Sequence, residues 1–296
     1  MDRFFCHIRL VQDNMVLLEN NLSKLPFKIG NYEVIRRSFE HDLDKVRPDL
    51  VNTYVEINKY HYNKKNDIEN DVDMTTFEPI IEKHYLSQRH HFYRNDFEPN
   101  DIDVCEMCCD IDALSTTQKE EDNTSYFRNF MMKEYPQLDR YKKDILHILK
   151  LLIKLKKSGR CDVANKFDFI NKQIIYNRKV QDNLVILEKN AVDLPFLLDD
   201  WELVRTAVLF GADKFVGDLL FRFEEYDNIE VNDINICKIC CDYCARAWLE
   251  DENDYEKYCR NNIGAHIGKL DGYREKISSI CCILKKWNHD QQSNGA

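Results

Sequence analysis

The N-terminal part of the chain contains most of the side chains that bind divalent metal ions in proteins. Six of the nine histidines lie within the first 91 residues. The candidate ligands are His7, the adjacent pair His41-Asp42, His84, the adjacent pair His90-His91, and Asp110. Imidazole and carboxylate together suit zinc, iron, manganese or related ions, and a carboxylate such as Asp42 can bridge two of them. We therefore expect one or two divalent ions (Mn, Fe, Mg or Zn) in the N-terminal half.

Spacing distinguishes the three later candidates from one another. One helix over about residues 74–92 would carry all three. His84 and His91 are seven residues apart and share a helix face, whereas His90 points about 120° away from the direction of His84. We expect His91 in preference to His90 as the partner of His84, unless the helix ends between these two histidines. The pair His41-Asp42 is expected to present two ligands from one helix.

The chain contains two copies of one framework. The segment Val11-Gln-Asp-Asn-Met-Val-Leu-Leu-Glu19 reappears with small changes as residues 180–188, a shift of 169 residues. Further along, the pattern Cys-x-x-Cys-Cys-Asp at 105–110 recurs at 237–242, a shift of 132 residues. The difference, 169 minus 132, gives the first copy 37 extra residues between about 60 and 103. Matches on both sides of one gap indicate an internal repeat.

The candidate histidines and Asp42 do not recur in the second copy, whereas Asp110 is retained there as Asp242 and Lys45 as Lys214. Tyr176 stands at the position of His7, and Phe210-Gly211 stands at that of His41-Asp42. The extra segment of the first copy is the one that contains the three later histidines. This asymmetry predicts that the first copy binds metal and the second serves packing.

Helices must position these ligands, because apolar residues recur at helical spacing in both copies. In the first copy we expect helices over about 10–22, 31–44, 74–92, 100–117, 124–134 and 139–157, with Asn31 as an N-cap and Pro48 opening a further helix. The second copy repeats this order without the 74–92 helix. The prediction is an all-α chain with domains 1–158 and 159–296, divided near Ser158-Gly159-Arg160.

Composition excludes several other classes of protein. Only 8 glycines and 6 prolines among 296 residues argue against a β-sandwich and against Gly-rich phosphate loops. A net charge of −10 provides no strong signal for nucleic-acid binding. We find no apolar run long enough for a signal peptide or a transmembrane segment, and expect an intracellular, cytoplasmic protein, in the host cytoplasm if the protein is viral.

Two cysteine runs have the spacing of zinc ligands. The runs Cys105-x-x-Cys108-Cys109 and Cys237-x-x-Cys240-Cys241 could together build a Zn(Cys)4 site. Each run lies within a helical pattern, however, and the two helices would have to turn the same face towards each other. Because cysteine is also a good small core residue, we interpret both runs as packing.

The order of the candidate ligands resembles that of the HD superfamily. His41-Asp-Leu-Asp-Lys45 is similar to its H-D-x-x-K signature, preceded by one histidine and followed by further histidines and an aspartate. The chain most resembles an uncharacterised HD-like family with the motifs H-D-x-S-K, H-x5-H-H and E-M-x-x-D. Here these read His41-Asp42-x-Asp44-Lys45, His84-x5-His90-His91 and Glu106-Met107-x-x-Asp110. Asp44 departs from the usual serine.

This resemblance implies a metal-dependent hydrolase of phosphate esters in an HD-like helical bundle, followed by a degenerate repeat. It implies that His7, His41, Asp42 and Asp110 hold one metal, and that Asp42 bridges to a second held by His84 with His91 or His90. Asp42 and Lys45 would be the catalytic residues, Lys45 as a partner of the phosphate, although Lys45 and Asp110 also suit structural duties such as a salt bridge.

Two other functions stay open beside a hydrolase of a nucleotide or small phosphorylated substrate. The same ligands could hold two irons for oxygen chemistry, as in some HD-fold oxygenases. Alternatively, the chain is a non-catalytic helical interaction protein, viral or parasitic, with a vestigial metal site. The second repeat could shape the cleft of the first, and a homodimer is equally open.

Overall fold

The computed structural model describes residues 2–69, 72–94, 97–118, 123–157, 168–199, 201–210, 230–250, 254–266 and 268–294. These ranges contain helices and no β-strand, which confirms the predicted all-α class. The chain divides into two compact units, Met1–Lys166 with Phe215–Gly217 and Phe167–Lys214 with Asp218–Ala296. The predicted boundary at residues 158–160 lies outside the described residues.

The first unit has eight α-helices within its described residues. They are α1 (Asp2–Glu19), α2 (Glu33–Glu40), α3 (Val51–Lys65), α4 (Glu78–Ser87), α5 (Asp101–Gln118), α6 (Asn123–Tyr126), α7 (Met132–Glu134) and α8 (Lys142–Lys157). A π-helical turn over Phe127–Met131 joins α6 to α7, and short 3-10 turns lie between most of the others. Helices α1, α5 and α8 pack together and enclose the apolar core.

The cysteines of the first run belong to this core. Cys105, Cys108 and Cys109 are fully buried on α5, among apolar side chains of α1 and α8 such as Met15 and Ile148. All three are free thiols. Burial raises the pKa of Cys108 and Cys109 well above the usual range, so both stay protonated and apolar in character.

The start of α2 differs from the prediction that Asn31 caps it. Tyr32 occupies the N-cap position in a left-handed conformation, with φ of 70°, and makes no side-chain cap. The carboxylate of Glu19, at the end of α1, instead accepts hydrogen bonds from the backbone N–H groups of Tyr32 and Ile35. A carboxylate there satisfies amides that have no partner inside the helix and interacts favourably with the helix dipole.

The second unit has five α-helices within its described residues: α9 (Asp168–Lys189), α10 (Glu202–Leu209), α11 (Asp233–Leu249), α12 (Tyr255–His266) and α13 (Arg274–Asn294). Helix α9 packs against α10, α11 and α13. None of the helices in the described ranges has the length and apolar content needed to cross a bilayer.

Several local contacts occur in both units at positions that the two sequence shifts pair. Glu188 accepts hydrogen bonds from the N–H groups of Trp201 and Leu203, as Glu19 does in the first unit, and Trp201 has φ of 68°. Asn183 donates to the carbonyl of Cys241 at 3.1 Å, and Asn14 donates to the carbonyl of Cys109 at 3.0 Å. These shared contacts support the internal repeat, which stays a prediction.

Candidate metal centre

His41 and Asp42 lie in a tight turn and not on a helix, so the prediction that one helix presents both ligands is wrong. Helix α2 ends at Glu40, His41 has φ of −59° and ψ of 124°, and Asp42 is left-handed with φ of 60°. Aspartate adopts this conformation more readily than most residues other than glycine. The turn buries both side chains, leaving each 1% exposed.

The three later histidines are not on one helix either. Helix α4 ends at Ser87, and His90 and His91 lie in a 3-10 turn (Arg89–Arg94) with a kink at His91. Helical spacing therefore does not apply beyond Ser87, and the argument that favours His91 over His90 fails. His84, His90 and His91 are all buried.

Asp42 lies at the centre of the histidines. Its Oδ2 atom is 3.8 Å from Nε2 of His7 and 3.5 Å from Nε2 of His41. Its Oδ1 atom is 3.4 Å from Nε2 of His84 and 3.8 Å from Nε2 of His90. One carboxylate thus presents a different oxygen to each of two sets of imidazoles.

The seven predicted ligand residues form two groups of closely spaced ligand atoms. One group is His7, His41 and Asp110, and the other is Asp42, His84, His90 and His91; within each, the ligand atoms lie within 4.8 Å of one another. His7 Nε2 is 3.1 Å from Asp110 Oδ1, and His84 Nε2 is 3.1 Å from His91 Nε2. The structure therefore brings every predicted ligand together.

Carboxylates hold the outer nitrogens of two of these imidazoles by hydrogen bonds, at 3.1 Å between Glu106 Oε1 and Nδ1 of His41 and at 2.8 Å between Asp44 Oδ2 and Nδ1 of His84. Glu106 Oε1 also lies 3.2 Å from Nδ1 of His90, but this nitrogen has no hydrogen-bond partner among the described residues. A carboxylate on the outer nitrogen fixes the ring and the tautomer, and leaves Nε2 available to a metal. This is the arrangement around histidine ligands in metalloproteins.

Neither anchor has a role predicted from the sequence. Glu106 is a position of the E-M-x-x-D motif, and Asp44 replaces the usual serine of the H-D-x-S-K motif. The spacing between Glu106 and Asp110, four residues on one helix, does place both on the same face and was an available signal.

The neighbouring charges of the cluster shift the pKa values of its carboxylates and of His91. Burial raises the pKa of Asp42, but the positive charges of His41 and Lys45 outweigh it and hold that pKa well below the usual range. Burial acts against ionisation of Glu106 in the same way, yet His90 and His41 lower its pKa to about 2. Burial and the charge of His90 depress the pKa of His91 well below the usual range. The carboxylates of Asp42 and Glu106 are therefore ionised, and the imidazole of His91 is neutral.

Lys45 forms an ion pair with the central carboxylate. Its Nζ lies 2.6 Å from Asp42 Oδ2 and 5.8 Å from the centre of the Tyr54 ring. Asp42 raises the pKa of Lys45 although burial opposes its charge. Lys45 therefore forms a partly buried salt bridge with Asp42. Its counterpart in the second copy, Lys214, lies outside the described residues.

The donor set fits a metal ion. Buried Nε2 atoms of His41 and His90 and the Oδ1 atom of Asp42 have no hydrogen-bond partner within the described part of the chain. Such atoms are costly unless a ligand satisfies them. Two nitrogens that bind one ion at about 2.0–2.1 Å lie about 3 Å apart as neighbours in its shell, and His84 and His91 have that separation. Buried clusters of histidine, aspartate and glutamate in this unit can therefore hold a metal ion.

A cavity of about 570 Å³ opens onto both ligand groups. His7 and Asp110 line it from one group, and His84 and His91 from the other. Its remaining lining residues are Phe4, Lys45, Tyr54, Ile57, Asn58, His61, Ile81, Tyr85, Leu114 and Thr117. The volume lies in the range of small-molecule sites in proteins.

The second unit has an ion pair where the first has ligands. Tyr176, at the position of His7, donates a hydrogen bond to Asp242, the counterpart of Asp110. Arg246 binds Asp242 through two bonds, at 2.9 Å from Nε and 2.6 Å from Nη2. The guanidinium of Arg246 thus pairs with Asp242, whose counterpart Asp110 belongs to a ligand group in the first unit. Gly211, the counterpart of Asp42, lies outside the described residues.

Comparison with known proteins gives one match. No curated protein and no solved structure matches the chain significantly. Residues 1–155 match the family of unknown function DUF5662, and this stretch contains every predicted ligand. Since the match covers more than half of the 296 residues, the chain belongs to the DUF5662 family.

Proposed function

We propose that the first unit is a metal-dependent phosphohydrolase of the HD type that acts on a nucleotide or another small phosphate ester. The observation that supports this proposal most is the position of Asp42, whose two oxygens face two groups of ligand atoms. A shared carboxylate of this kind is suited to a pair of divalent ions. Pairs of ions about 3.5–4 Å apart are used by phosphatases and nucleases.

We propose that the ligand residues are divided between two ions. His7, His41 and Asp110 would hold one, His84, His90 and His91 the other, and Asp42 would contact both. When bound, divalent ions supply Lewis-acid polarisation of a phosphoryl oxygen and lower the pKa of water. Glu106 and Asp44 would keep the imidazoles in one orientation through their Nδ1 atoms.

The cavity supports a phosphorylated substrate with an apolar or aromatic body. Among the described residues that line it, Lys45 is the one lysine or arginine, which suits a single phosphoryl group. Phe4, Ile57 and Ile81 provide an apolar surface, and Tyr54 adds a ring on which a base could stack. We propose that Lys45 binds a phosphoryl oxygen and that the apolar wall binds the remainder.

A screen of phosphomonoesters and phosphodiesters with added Mn, Fe, Mg or Zn tests the proposal. We expect metal-dependent hydrolysis by the full chain and its loss in Asp42→Ala. Asp49→Ala is the matched control, because Asp49 is exposed and pairs only with Arg47 among the interactions described for it. Activity that Asp42→Ala retains, or that survives removal of metal, would contradict the proposal.

Iron provides the outcome that separates the oxygenase alternative. If the iron-loaded chain consumes dioxygen and hydrolyses none of the esters, the centre is an oxygenase and the hydrolase proposal is wrong. If the chain binds no metal under any condition, both enzymatic proposals fail and the interaction protein remains.

A further inference from the structure

Four cysteines of the second unit converge from three helices. Cys240 and Cys244 lie one turn apart on α11, Cys259 lies on α12, and Cys281 lies on α13. None is more than 1% exposed. All four are free thiols, so no disulfide explains their position.

The sulfur atoms have the spacing of ligands around one ion. The Sγ atoms of Cys244, Cys259 and Cys281 all lie within 4.8 Å of one another, and that of Cys244 is 3.8 Å from that of Cys259. Thiolates that bind zinc tetrahedrally at about 2.3 Å are about 3.8 Å apart, by the geometry of a tetrahedron. Cys240 lies outside this group of three, but its thiol contacts that of Cys281 and is the fourth sulfur next to the group.

The cluster is not a feature of the common framework. At the positions paired by the shift of 132 residues, the first unit has Cys108, Asp112, Phe127 and Leu149. Only one of the four is a cysteine, and the other three differ from one another in size and charge. Three separate positions on three helices therefore hold cysteine in the second unit alone. Packing requires a small or apolar residue at each position, but it does not require sulfur at all three.

We propose that Cys240, Cys244, Cys259 and Cys281 bind one zinc ion in the second unit. A site with four cysteine ligands is closed to solvent and substrate, so its role is structural. The ion would fasten α11, α12 and α13 to one another. This site is independent of the histidine centre and does not rest on the proposed hydrolase activity.

The test is the absorption spectrum of the full, reduced chain loaded with Co²⁺. Sulfur ligands give an intense charge-transfer band in the near ultraviolet, which nitrogen and oxygen ligands do not give. We expect this band in the unmodified chain and in Asp42→Ala, whose change lies in the other centre. Zinc added in excess should remove the band, because zinc replaces cobalt at tetrahedral thiolate sites.

Two variants locate the band. Cys259→Ser should weaken it, because one of the four sulfur ligands is removed, and should lower the affinity of the site for zinc. Cys237→Ser is the matched control and should keep the full band, since Cys237 is equally buried on α11 but lies outside the cluster. The proposal is overturned if the reduced chain shows no band, or if Cys259→Ser keeps the band at full intensity.

If Cys259→Ser does not fold, X-ray absorption at the zinc edge of the Asp42→Ala chain decides the matter. Scattering by sulfur alone, at zinc–sulfur distances of about 2.3 Å, is the expected result. Scattering by nitrogen or oxygen alone overturns the proposal.

Discussion

Asp110 and Asp242 occupy positions paired by the sequence shift, yet their surroundings are opposite. Asp110 faces His7 at 3.1 Å and belongs to a group of ligand atoms. Asp242 is held by Arg246 at 2.6 Å and by the hydroxyl of Tyr176. Both oxygens of Asp242 accept hydrogen bonds from Arg246, and Oδ1 also accepts one from Tyr176, so neither oxygen faces a group of possible ligands among the described residues. The paired positions therefore carry one carboxylate among possible metal ligands and one in an internal ion pair, according to two neighbouring side chains.

The comparison also separates the contacts that belong to the framework from those that belong to the centre. The hydrogen bonds of Glu19 and Asn14 have counterparts at Glu188 and Asn183. Of the two carboxylates that anchor histidines, Glu106 pairs in sequence with Lys238, whereas Asp44 pairs with Asp213, which lies outside the described residues. A side chain that recurs in both units is best explained by packing, and one confined to the first unit by the centre.

The largest effect is expected when the ion pair of the second unit is broken. Arg246→Leu leaves the buried carboxylate of Asp242 without its cation, which costs about 3–5 kcal/mol in the free energy of unfolding of that unit. Denaturant unfolding followed by circular dichroism measures it. Arg246→Lys, which keeps a positive charge, is the control and should lose less. Equal loss in both variants would show that the guanidinium contributes by packing.

Removal of the central carboxylate comes next. We expect Asp42→Asn to weaken metal binding by more than about 100-fold, since loss of a residue outside the ligand shell already costs 10–100-fold. Asparagine tolerates the left-handed conformation, so the turn is retained. Calorimetric titration with Mn²⁺ or Zn²⁺ measures the affinity. An affinity equal to that of Asp49→Asn would exclude Asp42 as a ligand.

The third change transfers the ion pair to the first unit. Leu114 lies four residues after Asp110, as Arg246 does after Asp242. In Leu114→Arg the new guanidinium should bind Asp110. A metal ion that binds Asp110 must then break this charged hydrogen bond, which contributes about 1.5–3 kcal/mol. We expect metal affinity to fall about 10–100-fold, measured by the same titration. Leu114→Met is the control and should bind metal normally.

The smallest of the four effects is expected at Glu106. Glu106→Gln retains an acceptor for one imidazole but loses the negative charge that holds both His41 and His90. We expect metal affinity to fall about tenfold, at the lower end of the effect of such outer contacts. Asp112→Asn is the control, because Asp112 is buried on the same helix and bonds to Asn14 and Lys156. If both variants bind equally, the imidazoles need no anchor.

The identity of the ligands was accessible from sequence, whereas their backbone setting was not. Ligand types and their order identify His7 and Asp110 from distant parts of the chain, and for His7 the tyrosine at the paired position of the second copy adds to this. The helix that should have carried His41 and Asp42 ends before them, because a left-handed aspartate leaves no trace in hydrophobic periodicity. The same limit applies at Ser87, beyond which the spacing rule misjudged His90.

Partners that depend on tertiary contact were the hardest to foresee. The carboxylate of Glu19 reaches the start of α2 across 13 residues, which displaced the expected cap at Asn31. The cluster at Cys281 joins three helices, and only Cys240 lay in a recognised cysteine pattern. Short-range patterns predict which elements form, but such convergence depends on how the helices pack.

The left-handed turn at Asp42 limits which residues this position accepts. Only aspartate, asparagine and glycine enter that conformation at little cost. Exchange of Asp42 for asparagine replaces a charged carboxylate by a neutral amide, and exchange for glycine removes the side chain. Neither exchange requires the main chain to move. Glycine is the residue that the second copy has at the paired position, Gly211. A change from aspartate to glycine therefore removes the central carboxylate and leaves the main chain of the turn as it is.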